Sequence, residues 1–327
     1  MKSAKINCIA YYLPESILSN EALSQEFPDW PINKITDKIG INQRHIAADD
    51  EFVSDMAVKA CEKLFNEYNI SPAIIDYILL CTQSPDYHIP TTACLVQDKL
   101  GIPTSAGALD FNQGCSGYIY GLSLAKGLIT AGIAKNVLLV TSETYSKYIH
   151  KEDRGNRSIF GDAASATLIS DTNGWEIGDF VLGTNGRGAQ NLIVKNSGMR
   201  YHMTSSTNID SGNYLYMDGP EIFNFTIEAI PGLVNSVIKK NELAMSDIDL
   251  FFFHQANKYM LNHLRKKIGI DEDRFVYHMQ DCGNTVSSTI PIVLKEALTQ
   301  GKVKKKMNML LAGFGVGYSW GSVIIKS

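Results

Sequence analysis

Hydrophobic positions along the chain fall into two alternating patterns. Short apolar runs rich in β-forming residues occur at 77–82 ("YILLCT"), 136–142 ("NVLLVTS"), 166–170 ("ATLIS"), 250–254 ("LFFFH") and 308–313 ("NMLLAG"). These predict buried strands. Between them, apolar residues recur at helical spacing over 53–68, 91–100, 116–130, 220–240, 257–268 and 290–300. The alternation predicts an α/β protein built on a largely buried sheet. No low-complexity linker interrupts the pattern, and "KVKKK" (302–306) reads as a solvated turn before the last strand pair.

The pattern also repeats. "IDYILLCTQ" (75–83) matches "IDLFFFHQA" (248–256), "GCSGYIYGLSLAKGLITAG" (114–132) matches "GNTVSSTIPIVLKEALTQG" (283–301), and "NVLLVTSETYS" (136–146) matches "NMLLAGFGVGYS" (308–319). The three matches keep their order at a nearly constant offset of about half the chain, which predicts a duplicated unit. The expected halves are 1–172 and 173–327. In each, the first segment ends a strand and the second begins a helix after a glycine. If the halves pack about a pseudo-twofold axis, the equivalent ends converge. Those ends carry Cys115, His254 and Asn284.

Composition narrows the class without choosing the chemistry. The chain has 327 residues, 45% hydrophobic and 20% charged, with a net charge of −4. That is ordinary for a soluble globular protein and gives no basic field for nucleic acid. The apolar run before Pro14 is too short for a signal peptide, and no stretch reaches the length of a membrane span, so the expected setting is the cytoplasm with no membrane partner. Six cysteines, at 8, 61, 81, 94, 115 and 282, form no CxxC pair or His/Cys cluster. Neither a disulfide framework nor a metal site is expected.

Cys115 lies at the predicted start of helix 116–130, where free amides and the helix dipole favour a thiolate. Gly114 and Gly117 allow a sharp turn around it. The plain alternative is a small buried residue filling a tight turn. His254 ends a buried strand in "LFFFHQANKYM", and the plain alternative is a structural imidazole bonded to backbone. Asn284, in "DCGNTVSSTIP", reads locally as a cap or turn residue and also as a neutral donor to a developing oxyanion. Asn257 is a candidate for orienting local backbone or water. "GFGVGYSWGS" (313–322) predicts a glycine-dense turn between two strands, packing backbone beside the nucleophile.

Taken together, "YYLPES", "GINQRHIA" (40–47), "GCSG" (114–117), "DRGNRSIFGDAASATLI" (153–169), "HQAN" (254–257), "GNTVSSTIP" (283–291) and "GYSWGS" (317–322) resemble the β-ketoacyl-acyl-carrier-protein synthase III family over essentially the whole chain. The resemblance implies a thiolase-like, five-layered αβαβα fold of two duplicated halves, usually a homodimer. It implies that Cys115 takes an acyl group from acyl-CoA, and that His254 and Asn284 hold the thioester carbonyl of malonyl-acyl carrier protein during decarboxylation. The enolate then attacks the acyl-Cys115. Amides of Cys115 and of Val316 in the 315–317 loop would form the second oxyanion hole, with no metal or redox cofactor.

Departures bear on substrate. A Trp that often stacks on the CoA adenine is replaced by Lys34, with Trp30 nearby, while the other usual contact, Arg154, is present. Two positions often basic for carrier docking are Asn224 and Tyr259; Lys258, Arg265, Lys266 and Lys267 either supply that surface or form a solvated helix face. Ile89 and Phe314 fall where the family lines its acyl pocket. These changes leave room for a specialised acyl pathway. Three rivals are weaker expectations. A 3-hydroxy-3-methylglutaryl-CoA synthase needs a Glu where this chain has Gln83. A non-decarboxylating acyltransferase commonly varies the His/Asn pair, and a non-catalytic partner subunit would be expected to lose Cys115.

Overall fold

Each apolar run above forms a strand of one sheet. The computed structural model describes residues 3–30, 32–200 and 211–327, with the side chains of 32–35 and 211 also outside the described part. The first half contains strands β1 (Lys5–Tyr12), β2 (Ser16–Ser19), β3 (Gln43–Ile46), β4 (Tyr77–Cys81), β5 (Gly107–Phe111), β6 (Asn136–Glu143) and β7 (Ala163–Ser170). Its helices are α1 (Asn20–Glu26), α2 (Ile32–Ile39), α3 (Val53–Tyr68), α4 (Thr92–Lys99), α5 (Gly117–Thr130) and α6 (Arg154–Arg157). The second half contains β8 (Trp175–Thr184), β9 (Leu192–Val194), β10 (Leu215–Met217), β11 (Leu250–Phe253), β12 (Asn308–Gly315) and β13 (Ser319–Lys326). Its helices are α7 (Gly219–Lys240), α8 (Lys258–Ile268) and α9 (Thr289–Thr299). The six helices expected from periodicity are all present, with ends moved by a residue or so.

Strand order in the main sheet is β11-β12-β13-β8-β1-β7-β6-β4-β5. The order is a palindrome in which β4, β6, β7 and β1 mirror β11, β12, β13 and β8. Strand directions follow the same symmetry. β4–β6 and β11–β12 are parallel, while β6–β7 and β12–β13 are antiparallel. Even β5 has a trace of a counterpart, because Phe275 bridges Phe251 in parallel. Within the main sheet, β1 and β8 pair through Lys5 and Ile6 against Glu176 and Trp175.

Alternation along the strands sorts side chains into three cores, and this creates the layers. Ile78 and Leu80 of β4 face α3, packing with Met56, Ala60 and Leu64. Phe251 and Phe253 of β11 face α7, packing with Leu233, Val234 and Val237. Leu79 and Phe252 point the other way, into a central core with Ile119 and Leu122 of α5 and Ile290, Val293 and Leu294 of α9. A helix buried on nearly all sides must be apolar nearly all round. α9 meets that demand: Thr289 to Lys295 are all buried, with Lys295 reaching out to the Tyr68 hydroxyl at 2.7 Å and to Glu67. The starts of these two central helices hold the candidate site.

Candidate active site

Cys115 is buried in the turn from β5 into α5, two residues before the helix begins. The turn is tied to the β12–β13 hairpin, since Ser116 Oγ lies 2.6 Å from Ser319 Oγ and the Ser319 hydroxyl reaches Gln113 Oε1 at 3.1 Å. Glycine is required on both sides. A Cβ on Gly117 would stand 2.3 Å from Cys81 Sγ, and one on Gly315 would stand 2.9 Å from Cys115 Sγ. The backbone amides of Val316 and of Cys115 itself pull the thiol pKa down.

A helix start by itself would lower the thiol pKa. The structure reverses that direction: burial, and next the Glu143 carboxyl, push the Cys115 thiol up to about 12, against the pull of the two amides. The sulfur is therefore a thiol near neutral pH, and its proton has to leave as the sulfur attacks.

His254 follows β11, with its own N–H bonded to Ala312 O at 2.8 Å, which continues the parallel pairing with β12. It is buried, and desolvation lowers its pKa to about 3, so the imidazole is neutral. Nδ1 lies 2.8 Å from Thr289 Oγ1, and the Phe314 ring stands edge-on to the imidazole at 5.8 Å. Asn284 is pinned by its backbone between Ile159 O at 2.9 Å and Gly161 N at 3.0 Å. Its Oδ1 accepts the Val286 N–H at 2.9 Å, which leaves the NH2 end as the free donor. Val286 has φ +54°, a costly conformation for a β-branched residue, with its N–H held by Asn284 Oδ1.

Cys115, His254 and Asn284 line one cavity of about 130 Å³. The wall is completed by Phe160, Met217, Ile222, Thr226, Asn257, Phe314 and Gly315, among others. Its character is mainly apolar with a few polar groups, as in small-molecule sites generally. Asn257 also caps α8, its Oδ1 accepting the Met260 N–H at 2.9 Å. Val316 lines a neighbouring cavity of about 240 Å³ with Gln83, Tyr145 and Leu192.

Other expected residues lie elsewhere. The Arg154 guanidinium sits over the Trp30 ring, 5.6 Å from its centroid, and neither residue is in the cavity lining. Lys34 has its side chain outside the described residues. Ile89 is 86% exposed and does not line the cavity. On α8, Arg265 is engaged with Ile270 O at 3.1 Å and Glu272 at 3.3 Å. Among the described residues, no group of three His, Cys, Asp or Glu gathers as for a metal ion.

Sequence reasoning missed Glu143. It ends β6 fully buried, its two oxygens accepting the Gln83 N–H at 3.1 Å, with Ser84 Oγ at 2.9 Å and Ser287 Oγ at 3.4 Å. Burial pushes its pKa up to about 8 despite those donors. The carboxyl thus links the loop after β4 to the segment leading into α9. A Glu closing the apolar run "NVLLVTSE" was the available signal.

The family model for 3-oxoacyl-[acyl-carrier-protein] synthase III matches residues 109–186, and that for its C-terminal region matches 238–327. The β-ketoacyl-[acyl-carrier-protein] synthase III of Clostridium perfringens is 37% identical over 327 residues, spanning 100% of both chains. A crystal structure of a 3-oxoacyl-(acyl-carrier-protein) synthase III is 46% identical with a TM-score of 0.96, covering 99% of this chain and 100% of that one. The 3-oxoacyl-(acyl-carrier protein) synthase of Burkholderia xenovorans is 35% identical with a TM-score of 0.92, covering 99% and 93%. The layered, duplicated architecture is thus the thiolase-like fold that the motifs implied. With two family models matched and the similarity to curated relatives running end to end, the chain belongs to the 3-oxoacyl-[acyl-carrier-protein] synthase III family.

Proposed function

We propose that this acyltransferase joins an acyl group from acyl-CoA to malonyl-acyl carrier protein by decarboxylating Claisen condensation, at the start of fatty-acid synthesis or in a specialised acyl pathway. One observation carries the assignment of roles: Cys115, His254 and Asn284, drawn from distant parts of the chain, line a single cavity. The Cys115 sulfur attacks the thioester carbonyl of acyl-CoA, the C–S bond to CoA breaks, and the cysteine proton departs with the CoA thiol. The amides of Cys115 and Val316, which favour negative charge at the sulfur, stabilise the tetrahedral oxyanion. Malonyl thioester then binds with its carbonyl oxygen between His254 and the Asn284 NH2. The C–CO2 bond breaks and its electron pair moves to that oxygen; the enolate carbon then bonds to the acyl carbonyl carbon, the C–S bond to Cys115 breaks, and the released sulfur takes a proton from solvent to return to the thiol. A neutral imidazole suits this step, because it donates a hydrogen bond without giving up its proton.

Arg154, whose guanidinium lies over the Trp30 ring, and Trp30 are the proposed contacts for the CoA adenine, together with Lys34, whose side chain lies outside the described residues. Phe314 shapes the cavity floor against His254. Ile89 lies outside the cavity of its own chain, so a place in the acyl pocket requires a second copy, in line with a homodimer. The duplicated halves are taken as 1–172 and 173–327, which the palindromic sheet order supports. The reading needs no metal or redox cofactor. It is set in the cytoplasm, and no helix among the described residues is long and apolar enough to cross a membrane.

Incubation with acyl-CoA and malonyl-acyl carrier protein tests the proposal. A 3-oxoacyl product with matching release of CO2 and CoA supports it. Acyl transfer without CO2 favours a non-decarboxylating acyltransferase instead.

A further inference from the structure

His254 is buried, so the partner of Nδ1 decides which ring nitrogen carries the proton. Thr289 Oγ1 lies 2.8 Å from Nδ1 and 3.1 Å from the Val286 carbonyl. A carbonyl only accepts, whereas a hydroxyl can donate to either neighbour. For a neutral ring to present Nε2–H to the cavity, Nδ1 must be unprotonated and accept a hydrogen bond.

We infer that Thr289 is a positioning residue whose hydroxyl donates to His254 Nδ1 and so keeps Nε2–H available to the enolate oxygen. The inference rests on the reading of His254 as a donor during decarboxylation. In that step CO2 departs and the electron pair moves to the thioester oxygen. No proton is transferred, so the ring must enter the step already carrying Nε2–H. Thr289→Val keeps the side-chain shape and removes the donor. With no donor at Nδ1 the ring proton is free to settle there, which aims a lone pair at the developing charge.

The test combines nitrogen NMR of 15N-histidine-labelled protein at pH 7 with CO2 release from malonyl-acyl carrier protein. Wild type is expected to show Nε2 protonated and T289V to show Nδ1 protonated. T289V should still acylate Cys115 but release CO2 about 10²-fold more slowly, the cost of losing an oxyanion donor, and T289S should restore the rate. Acylation reports that the variant is folded; T289A replaces T289V if the valine variant does not acylate. An unprotonated Nε2 in wild type, or T289V decarboxylating at the wild-type rate while His254→Ala does not, overturns the inference. If His254→Ala itself decarboxylates normally, the underlying reading of His254 fails first.

Discussion

Gly315 packs against Cys115 so closely that a methyl group on the glycine would stand 2.8 Å from the cysteine Cβ and 2.9 Å from its sulfur. Neither neighbour can retreat freely, because Gly313 likewise lies under the backbone of Cys115 and Ser116. Gly315→Ala should therefore displace the sulfur from the Cys115 and Val316 amides. Acyl-enzyme formation is expected to slow about 10²-fold, the scale of a small misplacement of a reacting atom. Quenched-flow mass spectrometry with acyl-CoA measures this, and an unchanged acylation rate would show that the sulfur tolerates the shift.

The two half-reactions should separate by residue. His254→Ala and Asn284→Ala are expected to retain acylation of Cys115 and to lose CO2 release by about 10²–10³-fold each, since each removes one donor to the enolate. Measuring both half-reactions on the same preparation checks the division. Loss of acylation with intact decarboxylation would assign both residues wrongly.

Glu143 makes a prediction about stability. Its folded pKa, about 8, lies above the ordinary carboxyl value of 4.5. Below pH 4.5 both states are protonated and burial of the acid carries no ionic penalty. As pH rises from 4.5 to 8 the unfolded chain ionises first, so the folded state binds more protons and loses stability. Thermal unfolding of wild type should therefore weaken relative to Glu143→Gln across that window and run parallel above it. Parallel curves throughout would mean the carboxyl is already ionised in the fold.

His254 works in the opposite direction. Its pKa of about 3 in the fold lies below the usual 6.5, so the unfolded chain binds more protons between those values. Stability relative to His254→Gln should fall as pH drops from 6.5 toward 3. A difference that is constant over this range would contradict a buried neutral imidazole.

These residues were unequally legible in the sequence. Strand and helix positions were written in local periodicity, and the repeat made the convergence of Cys115, His254 and Asn284 an expectation before any coordinates. The rest depends on three-dimensional packing. The raised thiol pKa of Cys115 reflects burial and a carboxyl from β6, outweighing the helix start visible in the sequence. Thr289 reads as an ordinary helix-start residue until β11 places His254 against it. Ile89 looked like a pocket residue by resemblance, yet it stands exposed and does not line the cavity of its own chain.

The central claim is that Cys115 carries the acyl group. Intact-mass spectrometry after incubation with a panel of acyl-CoAs tests it most directly. The account predicts a single acyl adduct on the wild-type chain and none on Cys115→Ala. An adduct that survives Cys115→Ala, or no adduct with any acyl-CoA, would contradict it.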